Sequence, residues 1–390
     1  MIYIVFFSTP YKEKNKTDGG ANFARRIIRR MAEYDKKQKF TVLYPDWYEI
    51  SNTSEPVLCK YINIVWVKVS SILDYDFKRG DILFYPLIYK VRDFKEIVLL
   101  KKKNSSIKVF VTIHDLRWLK YEWDKDEKYY YQGMSKLLFL SPVLKRLAYF
   151  VVRSLFQKRI VVKCLKNVDK IFTVSNYSMQ EIIMLYPRAP VKYYYANDVD
   201  AINNVGCCDV ANDYVLFVSG GRRVKNLIHA LKGFQIYKQK NPESLLRMYV
   251  TGIGDELFDR LCDGARVNQK VKGEIDHDQY VSNIQLAKLY NGCKFLLYTT
   301  KSEGFGLPIL EAAYYGKTSI ASNITAVPEV LGAAVRYVEP NDDAAIAEEI
   351  FFLCDDNNLK EYENRIKTGI ELAIRRIEYE QEMFVKDILF

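Results

Sequence analysis

Short apolar runs rich in β-branched and aromatic residues recur along this chain, and longer stretches with helical spacing separate them. In the first half the runs are 2–7, 39–44, 62–69, 82–85, 107–113 and 169–174, with helical patterns at 20–36 and 93–103. Runs this continuous do not alternate between core and solvent. They fit strands covered on both faces, as in a parallel sheet. Parallel neighbours need long crossover connections, which the intervening helices supply, so the pattern predicts βαβ units.

A small polar stretch at 203–213, NNVGCCDVAND, reads as a linker, and a second βα series follows it. Its strands are expected at 214–219, 246–251, 294–298, 317–321 and 334–338, and its helices at 226–240, 283–291 and 308–315. At 390 residues the chain exceeds one ordinary core. The fold expectation is α/β: two Rossmann-like domains, 1–204 and 205–370, with parallel sheets facing an interdomain cleft. A C-terminal helix at about 371–390 is expected to pack back on the first domain. Ligands of such sheets bind outside the C-terminal strand ends.

Composition narrows the chemistry. The seven cysteines are scattered without a C-x-x-C, and the three histidines, His114, His229 and His277, are far apart. A disulfide framework, a zinc site or any other metal centre is therefore not expected, and a reducing compartment is. The opening MIYIVFFSTP reads as a buried strand rather than a leader, and no run reaches membrane-span length. The expected location is cytoplasmic, with the option of a peripheral seat on the inner face of the membrane.

The net charge is +10, and most of it is local: residues 117–170 hold thirteen lysines and arginines against five acids. Residues 134–168 contain eight cations and no acid, with apolar residues at helical period from Leu144 to Ile160. This predicts an amphipathic helix or helix pair. Its cations Lys145, Arg146, Arg153, Lys158 and Arg159 suit an anionic bilayer or a lipid-linked acceptor, although a solvated helix face would look the same. No nucleic-acid-binding pattern accompanies the charge.

Four motifs sit at strand ends. TTKSEGFGLPILEAAYYG (299–316) joins a strand to a helix that starts near Pro308, with Glu303 and Glu311 flanking Gly304 and Gly306. A helix N-terminus favours anions, glycines admit a ligand close to the backbone, and carboxylates accept from vicinal hydroxyls. FVSGGRRVKNLIHAL (217–231) repeats that grammar with Arg222, Arg223, Lys225 and Asn226, cations suited to a diphosphate. FVTIHDL (110–116) places His114 and Asp115 at a strand end, and Gly19-Gly20 open a helix on the first βα loop. Solvated loops, or a packed histidine, are the plainer reading of each.

Together these stretches resemble the retaining glycosyltransferases of family 4, among the glycosyl transferases of group 1. EGFGLPILE matches their E-x7-E signature, and FVSGGRRVKNL their phosphate loop. Residues 280–342 follow the family pattern almost continuously, with FVTIHDL, FTVSNYSMQEI and YYYANDVD as N-terminal landmarks. The resemblance implies a GT-B fold and metal-independent transfer of a hexose from a nucleotide-diphosphate sugar to a glycan or lipid-linked acceptor, as in capsule or O-antigen assembly. It implies no cofactor and no nucleic-acid partner.

The resemblance also implies residue roles. Glu311 would hold the donor ribose, and Glu303 a donor-sugar hydroxyl. The amides of Phe305, Gly306 and Leu307 would contact sugar and phosphate. Arg222 or Arg223, with Lys225 and Asn226, would serve the diphosphate. His114 would lie near the reacting carbon. Gly19 and Gly20, read from the residues alone, lack G-x-G-x-x-G but suit a close backbone approach to a donor. Three departures stand out: Thr299-Thr300 replace a Pro-Ser pair, Arg222 lies only three residues before Lys225, and Tyr379 replaces a C-terminal Trp. An epimerase-like GT-B enzyme, or a membrane-surface binder on a GT-B scaffold, are the alternatives.

Overall fold

The structure is a computed structural model and describes residues 1–7, 19–51, 55, 57–119, 124–130, 156–196 and 213–390. The linker 203–213 therefore lies, but for Asp213, outside the described residues.

In chain order the first elements are β1 (Ile2–Val5), α1 (Gly19–Tyr34), β2 (Phe40–Pro45), β3 (Ile64–Val69), β4 (Ile82–Tyr85), α2 (Val91–Lys103) and β5 (Lys108–Thr112). There follow a short helix α3 (Glu127–Tyr130), α4 (Lys158–Leu165), β6 (Lys170–Thr173), α5 (Asn176–Leu185) and β7 (Val191–Tyr193). The second series is β8 (Tyr214–Phe217), α6 (Leu227–Lys240), β9 (Arg247–Thr251), α7 (Asp255–Ala265), α8 (Gln269–Lys272), β10 (Ile275–Asp278), α9 (Asn283–Gly292) and β11 (Phe295–Tyr298). It closes with α10 (Leu307–Tyr314), β12 (Ser319–Ser322), α11 (Pro328–Leu331), β13 (Arg336–Val338), α12 (Asp343–Cys354) and α13 (Asp356–Leu389).

The chain divides into two compact units. Unit 1 comprises Met1–Tyr121, Leu147–Asn197 and Arg376–Phe390, and unit 2 comprises Glu122–Arg146 and Asp198–Arg375. Unit 1 holds a seven-stranded sheet in the order β3-β2-β1-β4-β5-β6-β7, parallel throughout. Unit 2 holds a six-stranded parallel sheet in the order β10-β9-β8-β11-β12-β13. The inner strands β1, β8, β11 and β12 are buried along their whole length, as two-sided cover requires.

In unit 1 the end of α13 is held by its own side chains. Phe384 packs against Phe172 at 4.7 Å and stacks on Tyr194 at 5.3 Å, and Gln381 bonds Arg30 and the Ala196 carbonyl. In unit 2, α3 contributes the ring of Tyr130 to the core around α6, β8 and β9. A segment from the first half of the sequence thus completes the hydrophobic core of the second sheet.

Candidate functional site

In each sheet the strand order reverses beside the first strand, in unit 2 between β8 and β11, which pair Phe295 with Val215 and Leu296 with Leu216. Open α/β sheets bind ligands at such a reversal, outside the carboxyl ends of the strands. The two loops leaving that point are 218–226 and 299–306, which carry two of the motifs singled out above.

The glycines of the first loop answer to packing. A Cβ at Gly220 would lie 2.5 Å from Val250 Cγ1, and one at Gly221 2.7 Å from the Gly252 carbonyl. Both amides are used internally, Gly220 N–H donating to the Thr251 carbonyl and Gly221 N–H to that of Gly252. Gly252 has φ +76° and approaches Ser219 backbone to backbone. The loop after β8 is therefore pressed against the loop after β9. This leaves the following turn, Arg223–Lys225, to present the cations.

Asn226 ends that turn in a left-handed conformation, fully buried, and its amide donates to the Pro340 carbonyl at 2.6 Å. The second loop is bonded to the first at three points. Lys301 N–H and the Thr300 hydroxyl donate to the Val224 carbonyl, and the Thr299 hydroxyl to that of Asn226.

Across this seam Lys225 Nζ reaches Glu303 Oε1 at 2.7 Å and the Tyr298 hydroxyl at 2.8 Å, lying 4.7 Å from the Tyr298 ring centre. Thr300 Oγ1, whose one proton is shared between the Val224 carbonyl and this carboxylate, lies 2.9 Å from the same Glu303 oxygen, and the Glu303 amide donates to Thr325 Oγ1. Glu303 is thus held at backbone and side chain, and its charge is balanced by a lysine that is itself 5% exposed.

Gly306 takes φ +116° just ahead of α10, a conformation that glycine adopts at little cost because it has no β-carbon. Phe305 is buried there, and Pro308 stands in the first turn, where its missing N–H has no helical partner. One turn on, Glu311 Oε2 accepts from the Tyr290 hydroxyl at 2.7 Å. Tyr290 is buried in α9. Burial first, then the neighbouring Glu311, pushes its hydroxyl well above its ordinary range, so it stays a donor.

Beside these loops lies a second charged cluster. Asp124 Oδ2 accepts from Lys301 Nζ at 2.8 Å and from Arg223 Nη1 at 3.2 Å. Burial pushes the Asp124 carboxyl up, but Lys301, the Asp126 amide and Arg223 outweigh this and hold it below its ordinary range. Two residues on, Asp126 Oδ2 lies 3.0 Å from His229 Nε2, while Asp343 Oδ1 lies 2.6 Å from Nδ1. Burial pulls the His229 pKa down. The hydrogen bonds to Asp126 and Asp343 overcome it, and the net shift is upward. Asp124, Lys125, Asp126, Arg223, His229, Lys301 and Asn341 line a cavity of about 280 Å³.

Arg222, Arg223, Lys225, Asn226, Glu303, Phe305, Gly306, Leu307 and Glu311 are therefore gathered on the two adjoining loops of unit 2 and the start of α10. Arg222 is exposed, whereas Arg223 is committed to Asp124. In unit 1, His114 follows β5, with its ring edge-on to Phe23 at 4.7 Å and its carbonyl accepting from Ser178. Phe23 stands one turn into α1, which opens on Gly19 and Gly20, so these three residues share one end of the unit 1 sheet. Lys158 and Arg159 are exposed on α4, while Lys145, Arg146 and Arg153 lie outside the described residues. Among the described residues no three His, Cys, Asp or Glu side chains gather as a metal site would require, and no helix is long and apolar enough to cross a membrane.

Sequence reading missed Tyr290, Tyr298, Thr325, Lys301, Asp124 and Asp126 as members of the site. The tyrosines read as core residues, which they also are. The aspartates gave no local signal, because their partners Arg223, His229 and Lys301 lie 99, 103 and 177 positions away.

Three comparisons bear on these geometries. Residues 209–371 match the family model described as glycosyl transferases group 1. The O-antigen chain mannosyltransferase B of Escherichia coli is 30% identical over 212 residues, 50% of this chain and 54% of that protein. The serotype-specific mannosyltransferase WbdA of Escherichia coli is 24% identical over 218 residues, 48% of this chain and 26% of that protein. The chain thus spans about half or less of the curated relatives' length. Among solved structures, Anabaena HepE in complex with UDP-glucose superimposes with a TM-score of 0.65 at 12% identity, covering 100% of this chain and 98% of that one. The two parallel sheets are those of the GT-B fold, and the match over unit 2, with the mannosyltransferase relatives, supports reading the chain as a GT-B glycosyltransferase.

Proposed function

We propose that this protein is a retaining, metal-independent hexosyltransferase of family 4. It would move a hexose, mannose in the first instance, from a nucleotide-diphosphate sugar to a glycan or lipid-linked oligosaccharide in surface polysaccharide assembly. The observation that carries the reading is the bonded seam at the unit 2 reversal, where Lys225 meets Glu303 and Tyr290 meets Glu311. The printed activities of the mannosyltransferase relatives, and the UDP-glucose bound to HepE, support the donor class.

In this reading Glu311, one end of an E-x7-E signature, accepts from the donor ribose and Glu303 from a hydroxyl of the transferred sugar. Arg222 and the backbone amides of Phe305, Gly306 and Leu307 face the diphosphate. When the glycosidic C–O bond breaks, its electron pair stays on the phosphate oxygen, the acceptor oxygen bonds the anomeric carbon, and the acceptor proton is released. Charge grows on the diphosphate, so fixed cations and amides placed there lower the barrier without a metal. Exposed Lys158 and Arg159 would hold the enzyme to an anionic inner membrane surface on the cytoplasmic side.

The test is transfer from GDP-mannose and UDP-glucose to an O-antigen-type oligosaccharide, with the product's anomeric proton followed by NMR. The donor's anomeric configuration retained in the product supports the reading. Inversion overturns the retaining assignment, no product from GDP-mannose and UDP-glucose overturns the choice of these donors, and no product from any UDP-, GDP-, dTDP- or ADP-hexose overturns the transferase reading.

A further inference from the structure

Asp124 stands out because the resemblance assigns it nothing, yet it bonds two cations of the donor loops. Its side chain is 4% exposed, that of Lys301 13% and that of Arg223 34%. Lys301 comes from the loop after β11 and Arg223 from the loop after β8, so one carboxylate spans both loops. The segment carrying it is not held by this contact alone. Asp126 is fixed on His229, and the Tyr130 ring is buried in the unit 2 core. The carboxylate is therefore presented in place by neighbouring anchors, beside a cavity whose lining includes both cations.

A buried charge of this kind acts on ligands that never touch it. A nucleotide sugar reaches the site with its terminal phosphate substituted on both sides, by the anhydride oxygen and by the sugar. After transfer that phosphate keeps only the anhydride bond and carries an extra charge, for a total of about −1.5 to −2 at neutral pH. A site with uncompensated cations would favour the product over the substrate. A carboxylate hydrogen-bonded to two of those cations lowers the local positive potential and reduces this preference.

We propose that Asp124 is a positioning and charge-balancing residue of the donor site: it fixes Lys301 and Arg223 and offsets part of their charge, so that the spent nucleoside diphosphate is released in favour of fresh nucleotide sugar. The proposal rests on the donor-site reading given above. Its distinguishing quantity is a ratio, the affinity for a nucleoside diphosphate divided by that for its sugar derivative. A merely structural role would change both affinities together and leave the ratio alone.

The experiment is calorimetric titration of the full chain with UDP, GDP, dTDP and ADP and with the glucose or mannose derivative of each. For whichever base binds, Asp124→Asn is expected to raise the ratio roughly three- to tenfold in favour of the diphosphate at low salt. Asp124→Glu, which keeps the charge, should leave the ratio near that of the wild type. Lys301→Met, which removes a cation instead, should move it the opposite way and reports even where Asp124→Asn folds poorly. A ratio unchanged in both Asp124→Asn and Lys301→Met overturns the inference alone. A wild-type protein that binds none of the four diphosphates overturns the donor-site reading and the inference with it.

Discussion

Lys225 Nζ and Glu303 Oε1 lie 2.7 Å apart, and this bond joins the two loops that leave the reversal point of the unit 2 sheet. Both side chains are nearly enclosed, at 6% and 12% exposure. Removing one partner of an enclosed pair strands the other charge, a loss of about 3–5 kcal/mol when burial is complete. Lys225→Met and Glu303→Gln are each expected to destabilise the protein. The double variant should lose clearly less than the sum, and a double-mutant cycle by urea denaturation measures the coupling.

The two glutamates are expected to fail differently. Glu311 is aligned by Tyr290, and Glu303 by Lys225 and Thr300. Glu311→Ala should mainly raise the donor KM, whereas Glu303→Ala should mainly lower kcat. Tyr290→Phe, which frees Glu311 from its donor, should raise the donor KM a few-fold, in keeping with about 1 kcal/mol for one hydrogen bond. Steady-state kinetics on the three variants checks the division, and equal losses in KM and kcat for both glutamates would contradict it.

The glycine seam gives a stability prediction. At Gly252 a Cβ would meet Ser219 Cα at 2.9 Å in a left-handed conformation. Gly252→Ala should therefore cost at least about 1–2 kcal/mol from backbone strain alone. It should also weaken donor binding, because the loop after β8 has to move. Gly316 has φ +75° but open space around it, so Gly316→Ala should show the strain without the loss of binding. Denaturant midpoints and donor titration on the pair separate the two effects.

His229 makes stability depend on pH. Between Asp126 and Asp343 its pKa lies above the ordinary 6.5, with Lys232 opposing the shift. A raised folded-state pKa contributes stability that is fully present below the unfolded value and fades as pH rises through the folded one. Asp126 is lowered, so its own contribution is lost only in acid, as pH falls below 3.8 toward its folded value. Unfolding free energy is thus expected to fall as pH is raised from just below 6.5. His229→Gln should flatten that slope.

The fold was legible where burial imposes a pattern. The inner strands β1, β4, β8 and β11 are apolar throughout, β5 is apolar between Lys108 and Thr112, and all five lie within a residue or two of the bounds the sequence predicts. The edge strands β7 (VKY) and β10 (IDHD) were not, because an edge is half solvated and carries polar residues. The loops after β8 and β11 could be read because glycine, proline and charge mark a strand-to-helix turn locally. Their lateral partners could not. That Thr300 meets Val224 follows from strand order, and that Asp124 meets Lys301 from the placement of residues 124–130 in unit 2; no local pattern encodes either.

The measurement that bears most directly on the central claim is nucleoside diphosphate release from a panel of UDP-, GDP-, dTDP- and ADP-sugars in EDTA, for wild type and Glu303→Ala. The account predicts release from one nucleotide family in the wild type, undiminished by the chelator and reduced at least about a hundredfold in the variant, the scale of one lost electrostatic group in a preorganised site. No release from any donor, or equal release from both proteins, would contradict it.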